Sequence, residues 1–204
     1  MVSRLARMRA RLAEALARLG ARLAEALARR RVALGFVSGA IVLWLARPTG
    51  VTLLTGGAVA CAGEALRIWA AGHLNKSREV TSSGPYRWFA HPLYVGSSIM
   101  GAGLAIAASC AAAAAIIALY LAATLTAAMK NEETFLRQTF SDEYDRYRRA
   151  DAAAAPLENA RRRFSAAQAL ANREHRAAIG LAVAVLLLLL KATYNELFRR
   201  SAGR

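Results

Sequence analysis

Apolar stretches separated by charged or turn-forming residues organise this chain. Residues 32–46 form the first, short but extendable by its flanks, and it closes at Arg47-Pro48, where proline cannot continue a helix. Residues 51–72 form the second. Residues 94–108 and 111–129 form the third and fourth, dense in Ala and Gly, with Ser109-Cys110 as the turn of a tight hairpin. The fifth, residues 177–190, is a leucine-rich run that stops at Lys191. Apolar runs approaching the roughly 20 residues that cross a bilayer predict membrane-spanning helices. The fold expected is therefore all-α, a polytopic membrane protein of about five transmembrane helices, with a polar helical stretch after residue 130 broken at Pro156.

Ahead of these spans, residues 10–20 (ARLAEALARLG) repeat as residues 21–31 (ARLAEALARRR). A period of 11, about 3.67 residues per turn, holds one helical stripe apolar. Leu12, Leu16, Leu19, Leu23 and Leu27 occupy it, flanked by arginines. The segment reads as an amphipathic helix lying on the lipid surface, with pairing to a second protomer as the alternative, a homo-oligomer through the amino-terminal helix. The expected division is residues 1–31 for this helix, 32–149 for a transmembrane core, and 150–204 for a cytoplasmic linker and a carboxy-terminal span.

Composition sharpens the picture. Of 204 residues 56% are hydrophobic, and 28 basic against 13 acidic side chains give a formal charge of +15. Such a charge can mean nucleic acid, but no basic stripe here interleaves with base-stacking aromatics. Positive loops beside anionic lipid explain it instead. Arginine and lysine gather at the amino end, in residues 73–92 and in residues 130–176, all on one side of a five-span topology. That side is expected to be the cytoplasm, of a bacterial inner membrane if the Ala/Arg-rich composition reflects the host, with the carboxy terminus opposite. Cys61 and Cys110 lie in apolar surroundings without metal-ligand spacing and read as small core residues, with neither disulfide nor metal site. The charged first 31 residues lack the apolar core and cleavage site of a signal peptide.

Candidate chemistry sits where the chain interrupts itself. SGPYRWFAHPLYVG, residues 83–96, packs aromatics, a histidine and turn residues between two apolar stretches. Gly84-Pro85 predicts a turn, and His91-Pro92 places proline in the first turn of the third span. Gly96, Gly101 and Gly103 offer bare backbone to a close ligand. Glu132 and Glu133 emerge at the end of the fourth span, on the same side as residues 83–96. Carboxylates pair with an ammonium and tyrosines face a cation, so the constellation suits a cationic ligand. Read singly, the histidine is a helix cap and the glutamates a solvated face. Within the second span Glu64 and Arg67 share one helix face, as a structural ion pair or a substrate contact.

The order GPYRWFAHPLYVG, then GAG at 101–103, then NEETFLRQTFSDEYDRY at 131–147 resembles the integral-membrane methyltransferases. That superfamily includes isoprenylcysteine carboxyl methyltransferases and phospholipid N-methyltransferases. The resemblance covers roughly residues 67–149. It implies S-adenosyl-L-methionine bound beneath the cytoplasmic surface, with a lipophilic acceptor entering from the membrane lipids: an isoprenylcysteine-like carboxylate, a lipid amine or another small hydrophobic molecule. Carried over by position, Tyr86, His91, Tyr94, Gly96, Gly101, Gly103, Glu132 and Glu133 would hold the cofactor, with His91, Arg87 and Glu133 as the catalytic candidates. Two positions depart from the pattern: Ala90 replaces an arginine and Ser141 a glycine. The first removes a guanidinium from the mouth of the site: either Arg87, one turn earlier on a helix, substitutes for it, or activity is lost, or the sequence has been deliberately altered. The rivals are a membrane scaffold that lost turnover at Ala90 and a nicotinamide-dependent membrane reductase of related topology.

Overall fold

A computed structural model describes residues 32–76, 78–149 and 161–202, besides the single positions Met8 and Arg30. The amphipathic repeat, but for those two positions, and the break at Pro156 lie outside the described residues. Six α-helices are described: α1, Val32–Leu45; α2, Gly50–His73; α3, Pro92–Ala108; α4, Ala111–Arg149; α5, Ala166–Ala171; and α6, His175–Ala202. A single 3₁₀ turn, Gly84–Arg87, stands between α2 and α3, and the described residues contain no strand. Three helices are long and apolar enough to cross a membrane, over Gly50–His73, Ala111–Phe140 and His175–Phe198; α1 and α3 are shorter apolar helices.

The punctuation follows local chemistry. Thr49 caps α2 by exchanging hydrogen bonds with Thr52, each side chain accepting from the other's backbone N–H. Pro92 opens α3 behind His91, and Ser109 ends it in the left-handed region at φ 49°. The hairpin turn at Ser109-Cys110 is thus as expected. Arg47 N–H donates to the Ala108 carbonyl over 2.8 Å, which joins this turn to the one between α1 and α2.

Two helices outrun the boundaries the hydropathy predicts. α4 continues without interruption through the polar residues after 129. α6 does not stop at Lys191, because the ammonium there donates to the Leu43 and Trp44 carbonyls at the end of α1. Carbonyls in a last helical turn have no partner within their own helix, so a lysine that reaches them sits comfortably beside an apolar helix.

The tightest packing joins α2 to α3, rather than α3 to α4 alone. A Cβ at Gly63 would lie 2.4 Å from the Met100 nitrogen, and one at Gly103 would lie 2.3 Å from the Ala60 nitrogen. Small residues let these two backbones touch along Gly56, Ala60 and Gly63 on one side and Gly96, Gly103 and Ala107 on the other. Cys61 is exposed on α2, so it is not the core residue expected; its neighbour Ala60 takes the helix contact, while Cys110 is partly buried.

Glu64 and Arg67 are drawn into a larger polar knot. Arg67 lies 3.4 Å from Glu64 and 2.6 Å from Glu174, and it also donates to Ser97. One guanidinium so ties α2 to α3 and to the residue preceding α6, the inward-facing pairing that charges in an apolar bundle require. The segment before α6 straps the end of α2. Asn172 donates to the Ala71 and Leu74 carbonyls, both at 2.8 Å, and Gln168 donates to Leu74 at 3.0 Å. Phe164 fills the space that a side chain at Gly72 would need.

Candidate active site at one end of the bundle

The strap and the loop between α2 and α3 together frame the end of the bundle where α4 emerges. Gly84 has φ +56°, and a Cβ there would stand 2.5 Å from the His73 ring, so both conformation and space call for glycine. His73 Nδ1 in turn lies 3.1 Å from the Ser83 hydroxyl, in a buried contact. Pro85 and Tyr86 are buried by the turn that follows.

This frame presents His91 to α4. Its Nε2 is 3.2 Å from Glu133 Oε1, and its Nδ1 is 3.6 Å from Glu132 Oε2. The imidazole therefore faces a carboxylate on each nitrogen, from positions some forty residues away in the chain. The Tyr94 ring lies beside it, centroids 5.5 Å apart. Glu132 raises the His91 pKa most, Glu133 adds to this, and burial opposes both.

Farther along α4, Tyr147 donates its hydroxyl to the Tyr86 carbonyl at 2.7 Å and lies 3.3 Å from that of Phe89. Arg148 Nη2 is 3.7 Å from Glu133 Oε1. Tyr144 is 1% exposed, yet its buried hydroxyl has no hydrogen-bond partner among the described residues. Burial pushes the Tyr86, Tyr144 and Tyr147 phenols up, Tyr147 to about 12, so all three remain protonated donors at neutral pH.

His91, Tyr94, Glu132 and Glu133 thus converge, with Tyr86 behind them. The glycines lie elsewhere: Gly96 against Arg67 and the Gly63 carbonyl, Gly103 against α2, and Gly101 against Leu121 of α4. Helix packing takes up the space beside each. Arg87 is exposed at the end of a 3₁₀ turn that does not continue to His91, and it makes no ion pair among the described residues. Ala90 is partly buried in the loop between them. Tyr144, Tyr147 and Arg148 are the site neighbours that sequence reasoning missed. Their i, i+3, i+4 spacing marks one helix face, a signal usable only once α4 is known to run on unbroken.

Fold and site define a helical membrane protein with a histidine–carboxylate–tyrosine cluster at one end. Residues 50–143 match the family described as phospholipid methyltransferase, a family of the integral-membrane methyltransferase group. The match spans α2, α3 and most of the site, ending one residue before Tyr144. The chain is also 35% identical over 109 residues to the nickel-cobalt-cadmium resistance protein NccN of Alcaligenes xylosoxydans xylosoxydans, covering 52% of this chain and 46% of that protein. It thus spans about half the length of that relative. No solved structure matches. Three helices long and apolar enough to cross a membrane mark an integral membrane protein, and residues 50–143 are similar to membrane methyltransferases.

Proposed function

We propose that the chain moves a methyl group from S-adenosyl-L-methionine to a lipophilic acceptor at the membrane boundary. The observation that carries this reading is the His91 imidazole set between Glu132 and Glu133 beside the Tyr94 ring. The donor set fits the cofactor. It offers two carboxylates for an ammonium, a guanidinium at Arg148 for a carboxylate, and a buried Tyr144 hydroxyl with no hydrogen-bond partner among the described residues. When bound, the cofactor supplies an electrophilic methyl that passes in one displacement, its sulfur–carbon bond breaking as the acceptor–carbon bond forms.

The chain's own residues align and protect that exchange. Glu132 and Glu133 hold the amino group, with His91 releasing its proton as the cation arrives. Tyr94 and Tyr86 wall the site, and Tyr147 fixes the loop that carries His91. Arg87 is the catalytic candidate with least support, being exposed. Gly96, Gly101 and Gly103 serve by bringing α3 close to its neighbours. Direct displacement asks chiefly for alignment and exclusion of water. An amine acceptor must also lose a proton, for which neutral His91 or Glu133 is at hand; a carboxylate acceptor need not. The family's description favours a phospholipid acceptor. The arginine distribution supports a cytoplasmic site, and the bacterial relative supports an inner-membrane location.

Calorimetry on detergent-purified protein with S-adenosylhomocysteine and with NADPH tests the reading. Binding of the first and not the second is expected. Binding of NADPH alone would establish the reductase, and binding of neither would establish the scaffold.

A further inference from the structure

At the opposite end of the bundle from His91, a cleft of about 520 Å³ opens between the α1–α2 turn and the last turns of α6. Arg47, Pro48 and Thr49 line one wall; Tyr194, Asn195 and Phe198 line the other. We propose that this cleft binds the phosphodiester head of a membrane phospholipid. The site is separate from the methyl-transfer reading and does not rest on it.

The charges favour this occupant. Among the described residues no acidic side chain lines the cleft, and neither the Arg47 guanidinium nor the Asn195 amide pairs with another of them. A guanidinium forks two hydrogen bonds onto phosphate oxygens, and an amide adds a further donor. Lys191, the neighbouring cation, is already engaged by the Leu43 and Trp44 carbonyls. Among the described side chains that line the cleft, Arg47 is the cation left unpaired.

The surroundings give the rest of the lipid a place. Tyr194 and Phe198 stack, centroids 6.3 Å apart and planes at 24°, and form an apolar wall for the glycerol and first methylenes. Trp44 is 78% exposed close by, and Tyr194 is 65% exposed. Exposed Trp and Tyr at a helix end mark the depth of lipid headgroups. Below them, Leu187 and Leu190 of α6 are exposed and continue the apolar surface on which acyl chains lie. The volume suits a glycerophosphate head, with the chains outside in the bilayer.

The test is native mass spectrometry of the full chain, delipidated in detergent and titrated with phosphatidylglycerol, diacylglycerol or inorganic phosphate. The wild type is expected to retain one phosphatidylglycerol tightly and to hold neither diacylglycerol nor phosphate. Arg47→Gln should weaken that lipid about tenfold or more, the weight of a charged hydrogen bond, and Arg47→Lys less. Asn195→Leu gives an independent variant, and circular dichroism reports whether each is folded. Unchanged lipid retention in folded Arg47→Gln and Asn195→Leu proteins would overturn the site. Equally tight retention of inorganic phosphate would overturn the lipid as its occupant.

Discussion

The Tyr147 hydroxyl donates to the Tyr86 carbonyl over 2.7 Å, and so fastens the polar extension of α4 to the loop that delivers His91. The contact explains why α4 projects beyond its apolar part. The same loop is also anchored from the α2 side, through His73 and Ser83, and by Glu79 paired with Arg162. Tyr147→Phe removes the donor and leaves the ring. The expected cost is about 1 kcal/mol of local stability. It should appear as faster hydrogen exchange across residues 84–91 and weaker S-adenosylhomocysteine binding, with helix content unchanged. Exchange identical to the wild type would show that the loop is held by other means.

The two carboxylates set a pH dependence whose sign is fixed. His91 has its pKa raised above the ordinary 6.5, chiefly by Glu132. A group raised on folding stabilises while protonated. Its contribution is complete below 6.5 and disappears as pH rises through the raised value. The thermal midpoint in detergent should therefore fall across that window, and His91→Gln should flatten the fall.

Cofactor affinity should move the opposite way. A protonated His91 and an incoming ammonium compete for the same carboxylates, so binding should strengthen as His91 loses its proton and should release protons to buffer. Calorimetry in buffers of different ionisation enthalpy measures that release. Within the same pair, Glu133→Gln should weaken S-adenosylhomocysteine about ten- to hundredfold. An unchanged affinity in both single variants and the double variant would return the glutamates to a solvated face.

The glycines carry a separate expectation, about folding. Gly103 meets the backbone of Ala60, whereas a Cβ at Gly57 meets nothing within 4 Å. Gly103→Val should cost about 1–3 kcal/mol or abolish folded protein, as overpacking does. Gly57→Val, on the same pair of helices, should fold. Equal midpoints for the two variants would contradict the close α2–α3 contact.

How much of this the sequence discloses depends on the range of the interaction. The α3–α4 hairpin was readable because Pro92 and the Ser109-Cys110 turn act within a few residues. The convergence of His91 with Glu132 and Glu133 was readable because they bracket that hairpin. The far end of α4 was not: hydropathy falls after residue 129, and nothing local says that a polar helix will fold its Tyr147 back onto Tyr86. Lys191 misled for a related reason, since charge alone suggests a boundary and its carbonyl partners lie on α1. Arg67 showed only Glu64 as a partner within its helix, while Glu174 is remote in sequence. The glycines were legible as sites of close approach, and the structure assigns that approach to neighbouring helices.

The arginine question ends at α4. Ala90 stands where the resembling family has arginine, and Arg87, one candidate substitute, is exposed. Arg148 instead lies 3.7 Å from Glu133. The methionine end of the proposed cofactor is a zwitterion, so a pocket for it needs both signs side by side, and Arg148 with Glu133 would provide them. A guanidinium at this place can fork onto the cofactor carboxylate. Arg148→Ala should then weaken S-adenosylhomocysteine about tenfold or more, a charged hydrogen bond's worth. It should leave a decarboxylated analogue unaffected or tighter, because a positive neighbour of the ammonium has gone. Arg87→Ala should change neither. Ala90→Arg in the Arg148→Ala background should restore part of the loss, and with it methyl transfer to a panel of hydrophobic amines, thiols and carboxylates. If Arg148→Ala weakens both ligands equally, the side chain acts on the fold of the site and not on the carboxylate. If Ala90→Arg raises turnover in the otherwise unchanged chain, the missing arginine was limiting and Arg148 does not replace it.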